Sequence, residues 1–286
     1  DIYNEIIPIG IRNRRNIKDS KLSDSEIITI SIVGELLTID SEKSFFSLLK
    51  REYKELFPRL GDRTRFNRTK RNLHLVISKI RGYISEFMQL YSNNIRVIDS
   101  MPIPVCEFGR ARFSKCFKGE ASYGRCASKK ETYFGFKFHA LTTVDGFLTD
   151  YVITPANIDD RNAVWDLCDK YRSISIIGDK GYINKRLTPE LKNERYIDLL
   201  FLKIENSRDN YPKEVRQLLF KVRRRIETSF SQLTEQLNLN KVKSKSMLGF
   251  ITRTSIKVLA HNISFLINKL MRNDDSMAKI KRLVFG

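Results

Sequence analysis

Apolar positions divide the chain into a helical N-terminal third and a longer part in which short strands alternate with helices. Between about residues 23 and 90 the apolar side chains recur every three or four positions, which is typical of amphipathic helices. Ser23 followed by Glu26 has the form of a capping box and predicts a helix start. We therefore expect helices from Ser23, over 41–57 and over 63–90, after a basic, irregular segment at 1–22.

After residue 94 the pattern changes to short apolar runs separated by turn residues. Strands are predicted over 95–101, 133–142, 147–153, 174–179 and 196–204. Val144-Asp145-Gly146 predicts a hairpin between the second and third of these strands. One helix is predicted to follow the segment 154–160 and to run to about 171, and others are predicted from 188, over 212–239 and over 247–271. The sequence thus predicts an α/β fold, in which a mixed five-stranded sheet flanked by helices (93–286) follows an all-helical domain (1–92).

Two of the predicted strands carry an aspartate where a buried apolar run ends. Asp99 follows Val97 and Ile98, and Asp179 follows the run 174–178. An ionised carboxylate beside buried apolar residues costs several kcal/mol unless a cation or another partner compensates it. The two aspartates therefore call for a functional explanation.

A third acid, Glu227, lies in the predicted helix 212–239, one position past the apolar stripe that includes Ile226. Right-handed crossovers can place strands 95–101 and 174–179 side by side and parallel, so that Asp99 and Asp179 meet at one sheet edge. Glu227 can then lean toward them. We expect these three residues to be both the catalytic residues and the metal ligands.

Three converging carboxylates repel one another when the site is empty and form a good site for hard cations. Two Mg²⁺ or Mn²⁺ ions can activate an attacking oxygen and stabilise the leaving oxygen in phosphodiester chemistry, without a histidine base. Each acid also has an ordinary interpretation: a cap at Asp99, a turn at Asp179, and a helix-face ion pair between Arg223 and Glu227. His139 is interpreted as a sheet residue, Asp145 as a turn residue, and Asp159 and Asp160 as a helix N-terminus.

Composition indicates a nucleic-acid partner. The chain of 286 residues has 52 lysines and arginines against 33 acidic residues, a formal charge of +19, and 41% hydrophobic residues. Such a charge attracts polyanions, and the apolar content is sufficient for a folded enzyme rather than a short basic scaffold. Nucleic acid is therefore the partner that composition favours.

Basic residues concentrate in three places where we expect DNA contacts. The first is the segment 59–71, as a helix-turn-helix or as a solvated basic helix face. The second is the predicted loop 105–131, where aromatic rings either stack on bases or pack on the protein itself. The third surrounds the acids, where Arg223 is expected to orient Glu227 or to hold a phosphate. The predicted contacts are Arg63, Arg65, Arg68, Lys70, Arg71, Arg110, Arg112, Lys115, Lys118, Lys129, Lys130, Lys180, Arg223 and Arg224.

The motifs Ile98-Asp99-Ser100, Gly178-Asp179-Lys180-Gly181-Tyr182 and Arg223-x-x-x-Glu227, together with Thr154-Pro155-Ala156-Asn157, carry a family resemblance. The chain resembles DDE-type transposases of bacterial insertion sequences, most closely the insertion sequence 982 family. Related groups have a tyrosine, arginine, glutamate and lysine signature around the last acid. Here Phe220 takes the tyrosine position and Thr234 the lysine position, which leaves the DNA-end role of that lysine to Lys241 or Lys243.

The resemblance implies a ribonuclease H-like catalytic fold and a protein that binds the terminal inverted repeats of its element. It also implies cleavage at the element ends and transfer of the 3′ ends to target DNA. The expected partner is therefore double-stranded DNA, as element ends and target, with no small-molecule substrate. Synapsis of two ends implies a homodimer on DNA. The alternatives are a metal-dependent nuclease without strand transfer and a non-catalytic DNA-binding protein of the same fold.

The cysteines and the first residues of the chain indicate the cellular compartment. Cys106, Cys116 and Cys126 recur in the basic loop and Cys168 stands apart, without a C-x-x-C pair, so reduced thiols are favoured over a zinc site. No apolar run is long enough to span a bilayer, and the first residues lack a signal pattern. These features predict a cytoplasmic, nucleoid-associated protein that does not interact with membranes.

Overall fold

Six short to medium helices make up the N-terminal part of the computed structural model, which describes residues 1–14, 17, 20–90, 92–126, 130–182, 184, 186–201, 211–272 and 278–280. They are α1 (Ile2–Ile6), α2 (Ile9–Arg12), α3 (Asp24–Leu36), α4 (Glu42–Glu52), α5 (Arg63–Asn72) and α6 (His74–Gln89). The predicted capping box is confirmed, because Ser23 accepts a hydrogen bond from the Glu26 backbone N–H while Glu26 accepts one from the Ser23 N–H. Such a pair satisfies two backbone donors at the helix start.

Two features of this part differ from the prediction. The segment 1–22 is not wholly irregular, because Asp1 caps α1 and the Tyr3 ring is buried there. The pattern over 63–90 forms two helices rather than one. The break falls at Leu73, whose backbone leaves helical geometry (φ −86°, ψ 7°) while its side chain is buried in the core.

A mixed sheet of six strands follows, in the order β2-β3-β1-β5-β6, with β4 paired to β3. The strands are β1 (Ile95–Pro104), β2 (Ser122–Cys126), β3 (Glu131–Thr143), β4 (Leu148–Pro155), β5 (Ser175–Gly178) and β6 (Asp198–Phe201). Strands β1, β2 and β4 each pair antiparallel with β3, whereas β1, β5 and β6 run parallel. The predicted hairpin is confirmed as β3–β4, with Gly146 at φ 94° in its turn.

The predicted α/β class with a mixed sheet flanked by helices is confirmed, but the number of strands was wrong. The additional strand, β2, lies inside the segment 105–131, which was predicted to be a basic loop. Gly124 in β2 lies so close to Ala156 that a Cβ there would be 2.6 Å from the Ala156 carbonyl oxygen. This close approach depends on a contact distant in sequence, and no local pattern signals it.

Four helices complete the fold: α7 (Ala163–Leu167), α8 (Leu187–Arg195), α9 (Lys213–Ser231) and α10 (Met247–Leu270). Helix α7 is shorter than the predicted helix, which was expected to follow the segment 154–160 and to run to about 171. Helix α9 ends before the predicted limit of 239 and continues as a π-helical turn over Gln232–Gln236. A continuous buried core contains side chains from α3, α6, the sheet, α9 and α10.

Helix α10 connects this core to the N-terminal helices through a buried ion pair. Lys257 is fully buried, and its ammonium group donates to Glu35 of α3 and to the Leu237 carbonyl. Arg253 also reaches Glu35, at 3.4 Å. In the part of the chain that the structure describes, no helix combines the length and apolar character needed to cross a membrane.

Candidate active site

Asp99 lies in the middle of β1, opposite Ala140 of β3. Ile98 beside it is fully buried, and the Asp99 side chain itself is only 19% exposed. The Ser100 backbone N–H donates to its Oδ1 atom at 2.8 Å. The strand therefore fixes this carboxylate at the boundary between the core and the surface.

Asp179 directly follows the last residue of β5. The parallel register, which pairs Val97 with Ile177, brings Asp179 beside Asp99 at one edge of the sheet. This confirms the predicted neighbourhood of the two strands. Space before Asp179 is limited, because a Cβ on Gly178 would lie 3.0 Å from the Ile98 side chain, which would have to shift by a few tenths of an ångström.

Glu227 comes from α9, which packs against β1 and β5. Ile226 is fully buried against the sheet, and Glu227, one position further along the helix, has a side chain that is 51% exposed. The helix thus presents this carboxylate at the margin of its buried face, as its position in the sequence predicts.

Arg223 lies between the three acids. Its Nη1 atom is 2.9 Å from Glu227 Oε1, and its Nη2 atom is 3.4 Å from Asp99 Oδ2 and 3.8 Å from Asp179 Oδ2. The Arg223 side chain is 23% exposed, and its Nε–H is buried without a hydrogen-bond partner. One cationic group therefore contacts carboxylates from three separate elements.

The donor atoms of this site suit a hard cation, because all three side chains offer carboxylate oxygens. Their convergence on one positive group also fits a site for positive charge. As the side chains stand, however, the described residues contain no group of three acidic, histidine or cysteine side chains close enough to hold a metal ion. Asp99, Asp179 and Glu227 could provide the ligands once the guanidinium no longer lies between them.

Burial dominates the electrostatics of Asp99. Desolvation raises its pKa to about 6, against the opposing effects of the Ser100 N–H and the Arg223 guanidinium. The neighbouring carboxylates of Asp179 and Glu227 act on this pKa in the same direction as burial. Asp99 is thus a carboxylate whose ionised form needs more positive charge than Arg223 supplies.

A second polar group adjoins Asp99, and the sequence did not predict it. The Ser100 hydroxyl donates to Asp160 at 3.0 Å, and the Lys137 ammonium donates to Asp160 at 2.7 Å and to the Ile158 carbonyl at 2.7 Å. Asp160 begins a short 3₁₀ helix at Asp160–Asn162, so its predicted place at a helix start is correct. Its contact with the strand that carries Asp99 depends on residues far apart in the chain.

His139 lies in β3, fully buried, as the sequence predicts. Its Nε2 atom is 2.9 Å from the Thr154 hydroxyl, and burial lowers its pKa to about 4. It is therefore neutral at neutral pH. Of the other acids, Asp150 is paired with Lys170 at 2.7 Å and Asp159 with Arg161.

The first predicted DNA-contacting group lies on α5. The side chains of Arg63, Arg65 and Arg68 are exposed on this helix, whereas Phe66 is buried beneath them. Arg71 is half-buried. Lys70 is turned toward α4, where its ammonium is 3.3 Å from Glu42, and its side chain is only 15% exposed. The arginines of α5 thus form an accessible basic surface that does not include Lys70.

The second predicted group surrounds a 3₁₀ helix at Phe108–Phe113 and strand β2. Its exposed basic residues are Arg110, Arg112, Lys115, Lys118 and Lys130. The aromatic rings of this segment were predicted either to stack on bases or to pack on the protein itself. Phe113 is 80% exposed and is available for stacking, whereas Phe117 is buried against Phe136 and Phe250. Lys129 and the side chain of Lys180 lie outside the described residues.

Helix α9 provides the third predicted group and also departs from the prediction. Arg224 is exposed beside the half-buried Arg223. The apolar stripe of this helix was predicted to pack on the sheet, but Val215 and Leu218 near its start are 40% and 59% exposed. Only the part of the stripe from Leu219 onward reaches the core. Cys106, Cys116 and Cys126 are half-buried and Cys168 is buried, and none of them forms a disulfide within the described part of the chain.

Comparison with known proteins gives one match. A family model described as a transposase DDE domain matches residues 90–247, which is more than half of the chain and includes all three acids. No curated protein matches the chain, and no solved structure matches it.

Proposed function

We propose, from the premise that the chain belongs to the family of transposase DDE domains, that it is a DNA transposase whose catalytic residues are Asp99, Asp179 and Glu227. It would bind the terminal inverted repeats of its element, cleave at the element ends and join the freed 3′ ends to target DNA. The observation that carries the proposal is the convergence of the three acids, from β1, the end of β5 and α9, on one guanidinium.

The three carboxylates would hold two Mg²⁺ or Mn²⁺ ions, which supply Lewis-acid activation of the attacking and leaving oxygens of a phosphodiester. The chain's own contribution is to fix the carboxylates. Asp99 is fixed by the sheet and the Ser100 N–H, and Asp179 by the Gly181 N–H that donates to it. The neutral, buried His139 has no place in the proton transfers.

The basic surfaces support DNA binding. We assign residues 1–92 to a DNA-binding domain in which Arg63, Arg65 and Arg68 contact phosphates. The exposed lysines and arginines of 105–131 would hold a strand near the active site, with the exposed Phe113 ring stacking on bases. We also propose a homodimer on paired ends, a cytoplasmic, nucleoid-associated location, and membership of the insertion sequence 982 family from the motifs around the three acids.

A strand-transfer assay tests this function. The substrate is a duplex that ends in the terminal repeat flanking the protein's own gene, already cut at its 3′ end, and the target is a supercoiled plasmid. With Mg²⁺ the protein should join the 3′ end to the plasmid, and Asp99→Asn should abolish joining while it retains duplex binding.

The other candidate activities give different results in the same assay. A nuclease without strand transfer would nick the plasmid but leave the labelled end unjoined. Plasmid left intact by a protein that binds the duplex tightly would indicate a non-catalytic DNA-binding protein. Joining by the Asp99→Asn variant at the wild-type rate would refute the assignment of the catalytic residues.

A further inference from the structure

We infer that Arg223 is a built-in counter-cation that keeps the three acids from binding divalent ions until DNA draws its guanidinium away. The inference rests on the proposed function, because it concerns the same three carboxylates. It adds a control step, in which the free protein binds metal weakly and the DNA-bound protein binds it tightly.

The position of the guanidinium supports the first half of this inference. Arg223 donates to Glu227 at 2.9 Å and lies within ion-pair distance of Asp99 and Asp179. A positive charge at this point offsets the repulsion among the three carboxylates, which is the effect that a bound divalent ion would also have. Because the guanidinium lies between the oxygens that would coordinate an ion, the two cations compete for one place.

The hydrogen bonding of Arg223 indicates that this place is not its most favourable one. Its Nε–H is buried without an acceptor, and the distances to the two aspartates are longer than that to Glu227. Arginine has five N–H donors in a planar fork that matches a phosphate group through two parallel hydrogen bonds. A phosphate bound through the Nε–H and one Nη–H would therefore engage the donor that the three acids leave without an acceptor.

The surroundings allow the side chain to leave the acids toward DNA. The Arg223 side chain is 23% exposed, so it already reaches the surface, and its neighbour Arg224 is exposed. If a DNA phosphate takes the guanidinium, the carboxylates lose their counter-charge and their affinity for divalent ions rises. By linkage, bound metal must raise the affinity for DNA by the same factor.

Calorimetric titration of the DNA-free protein with Mn²⁺ tests the competition. Arg223→Gln should bind Mn²⁺ about tenfold more tightly than the wild type, within the range usual for coupled sites. The matched control is Arg225→Gln, which removes the same charge from an exposed residue of the same helix. Its Mn²⁺ affinity should stay within about twofold of the wild type, because general charge effects on an exposed residue are small.

A second titration, with the protein on a terminal-repeat duplex that ends in a 3′-deoxynucleotide, tests the role of DNA without allowing reaction. The wild type should gain about tenfold in Mn²⁺ affinity on DNA, and Arg225→Gln should gain the same. In Arg223→Gln the gain should be smaller, because its carboxylates are already free of the guanidinium. If DNA raises the Mn²⁺ affinity of Arg223→Gln as much as that of Arg225→Gln, the charge of the duplex alone attracts the ion, and the inference is wrong.

Two further variants separate this inference from the proposed function. If Mn²⁺ binding is lost in Asp99→Asn but Arg223→Gln binds no more tightly than the wild type, the counter-cation role is wrong and the metal site stands. If the Asp99→Asn substitution leaves the Mn²⁺ affinity unchanged, with or without the Arg223→Gln change, both the counter-cation role and the proposed metal site are wrong. Should Arg223→Gln fail to fold, Arg223→Lys keeps the charge but reaches fewer acids, and a Mn²⁺ affinity no higher than that of the wild type would again overturn the inference.

Discussion

Replacing Asp99 by asparagine should stabilise the metal-free protein at neutral pH, although it removes a catalytic group. The Asp99 carboxylate is 19% exposed, and burial raises its pKa from the ordinary 3.8 to about 6. Asparagine has nearly the same shape, and its side-chain oxygen can still accept the hydrogen bond from the Ser100 N–H. The substitution therefore removes the buried charge and, with it, the 3.4 Å contact between Asp99 Oδ2 and Arg223 Nη2.

The sign and size of the effect follow from the pKa. Because the folded-state pKa lies above the unfolded one, the folded protein binds this proton more tightly. The resulting stability is complete below about pH 4 and is lost as the pH rises through about 6. A pKa raised by this amount corresponds to a cost of about 3 kcal/mol for the ionised group, an upper figure because the side chain is partly exposed. Asp99→Asn should therefore raise the free energy of unfolding by about 1 to 3 kcal/mol at about pH 7.5 and leave it nearly unchanged at about pH 4.

Urea unfolding followed by circular dichroism, in EDTA, measures this difference. Asp159→Asn is a control of opposite sign, because the bond from Arg161 lowers the pKa of Asp159 to about 2, so that its ionised form is favoured in the folded protein. The control variant should be slightly less stable than the wild type at neutral pH. Should Asp99→Asn prove no more stable than the wild type at about pH 7.5, or keep its advantage undiminished at about pH 4, the reasoning from burial is refuted.

Three other predictions concern catalysis, DNA binding and the core. Asp179→Asn and Glu227→Gln should each slow end cleavage by at least about a hundredfold, while duplex binding, measured by fluorescence anisotropy, stays the same or tightens. If either variant cleaves at the wild-type rate, that residue is not catalytic. Arg68→Ala should weaken duplex binding and lower its salt dependence by about one phosphate contact. Lys70→Ala should do less, because that ammonium is engaged by an acid of α4, and equal losses would contradict the assignment. Lys257→Met should destabilise the protein by about 3 kcal/mol in urea unfolding, since Glu35 of α3 then keeps only its 3.4 Å contact with Arg253. A loss under about 1 kcal/mol would mean that the ion pair is dispensable.

The sequence indicated the sheet around the acids because the relevant signals are local. An apolar run that ends in an aspartate marked both Asp99 and Asp179, and chain order with right-handed crossovers made their strands parallel neighbours. Glu227 could be placed because α9 has a clear helical stripe with Ile226 at its buried edge. Each of these acids is marked by a pattern within its own strand or helix.

What the sequence could not indicate depends on contacts between distant residues. Strand β2 exists because it pairs with β3, and its own residues look like a basic loop. Lys137 and Asp160 meet beside the strand that carries Asp99, although nothing near either residue in the sequence suggests it. The position of Arg223 among all three acids, rather than beside Glu227 alone, likewise requires the sheet and helix to be packed together.

Anomalous diffraction from crystals grown with Mn²⁺ and a terminal-repeat duplex would test most directly whether the three acids form a metal centre. We expect anomalous peaks within coordination distance of Asp99, Asp179 and Glu227, with the Arg223 guanidinium moved onto a DNA phosphate. Crystals in which Mn²⁺ lies elsewhere, while the guanidinium still bridges the three carboxylates on bound DNA, would contradict the metal chemistry proposed for this protein.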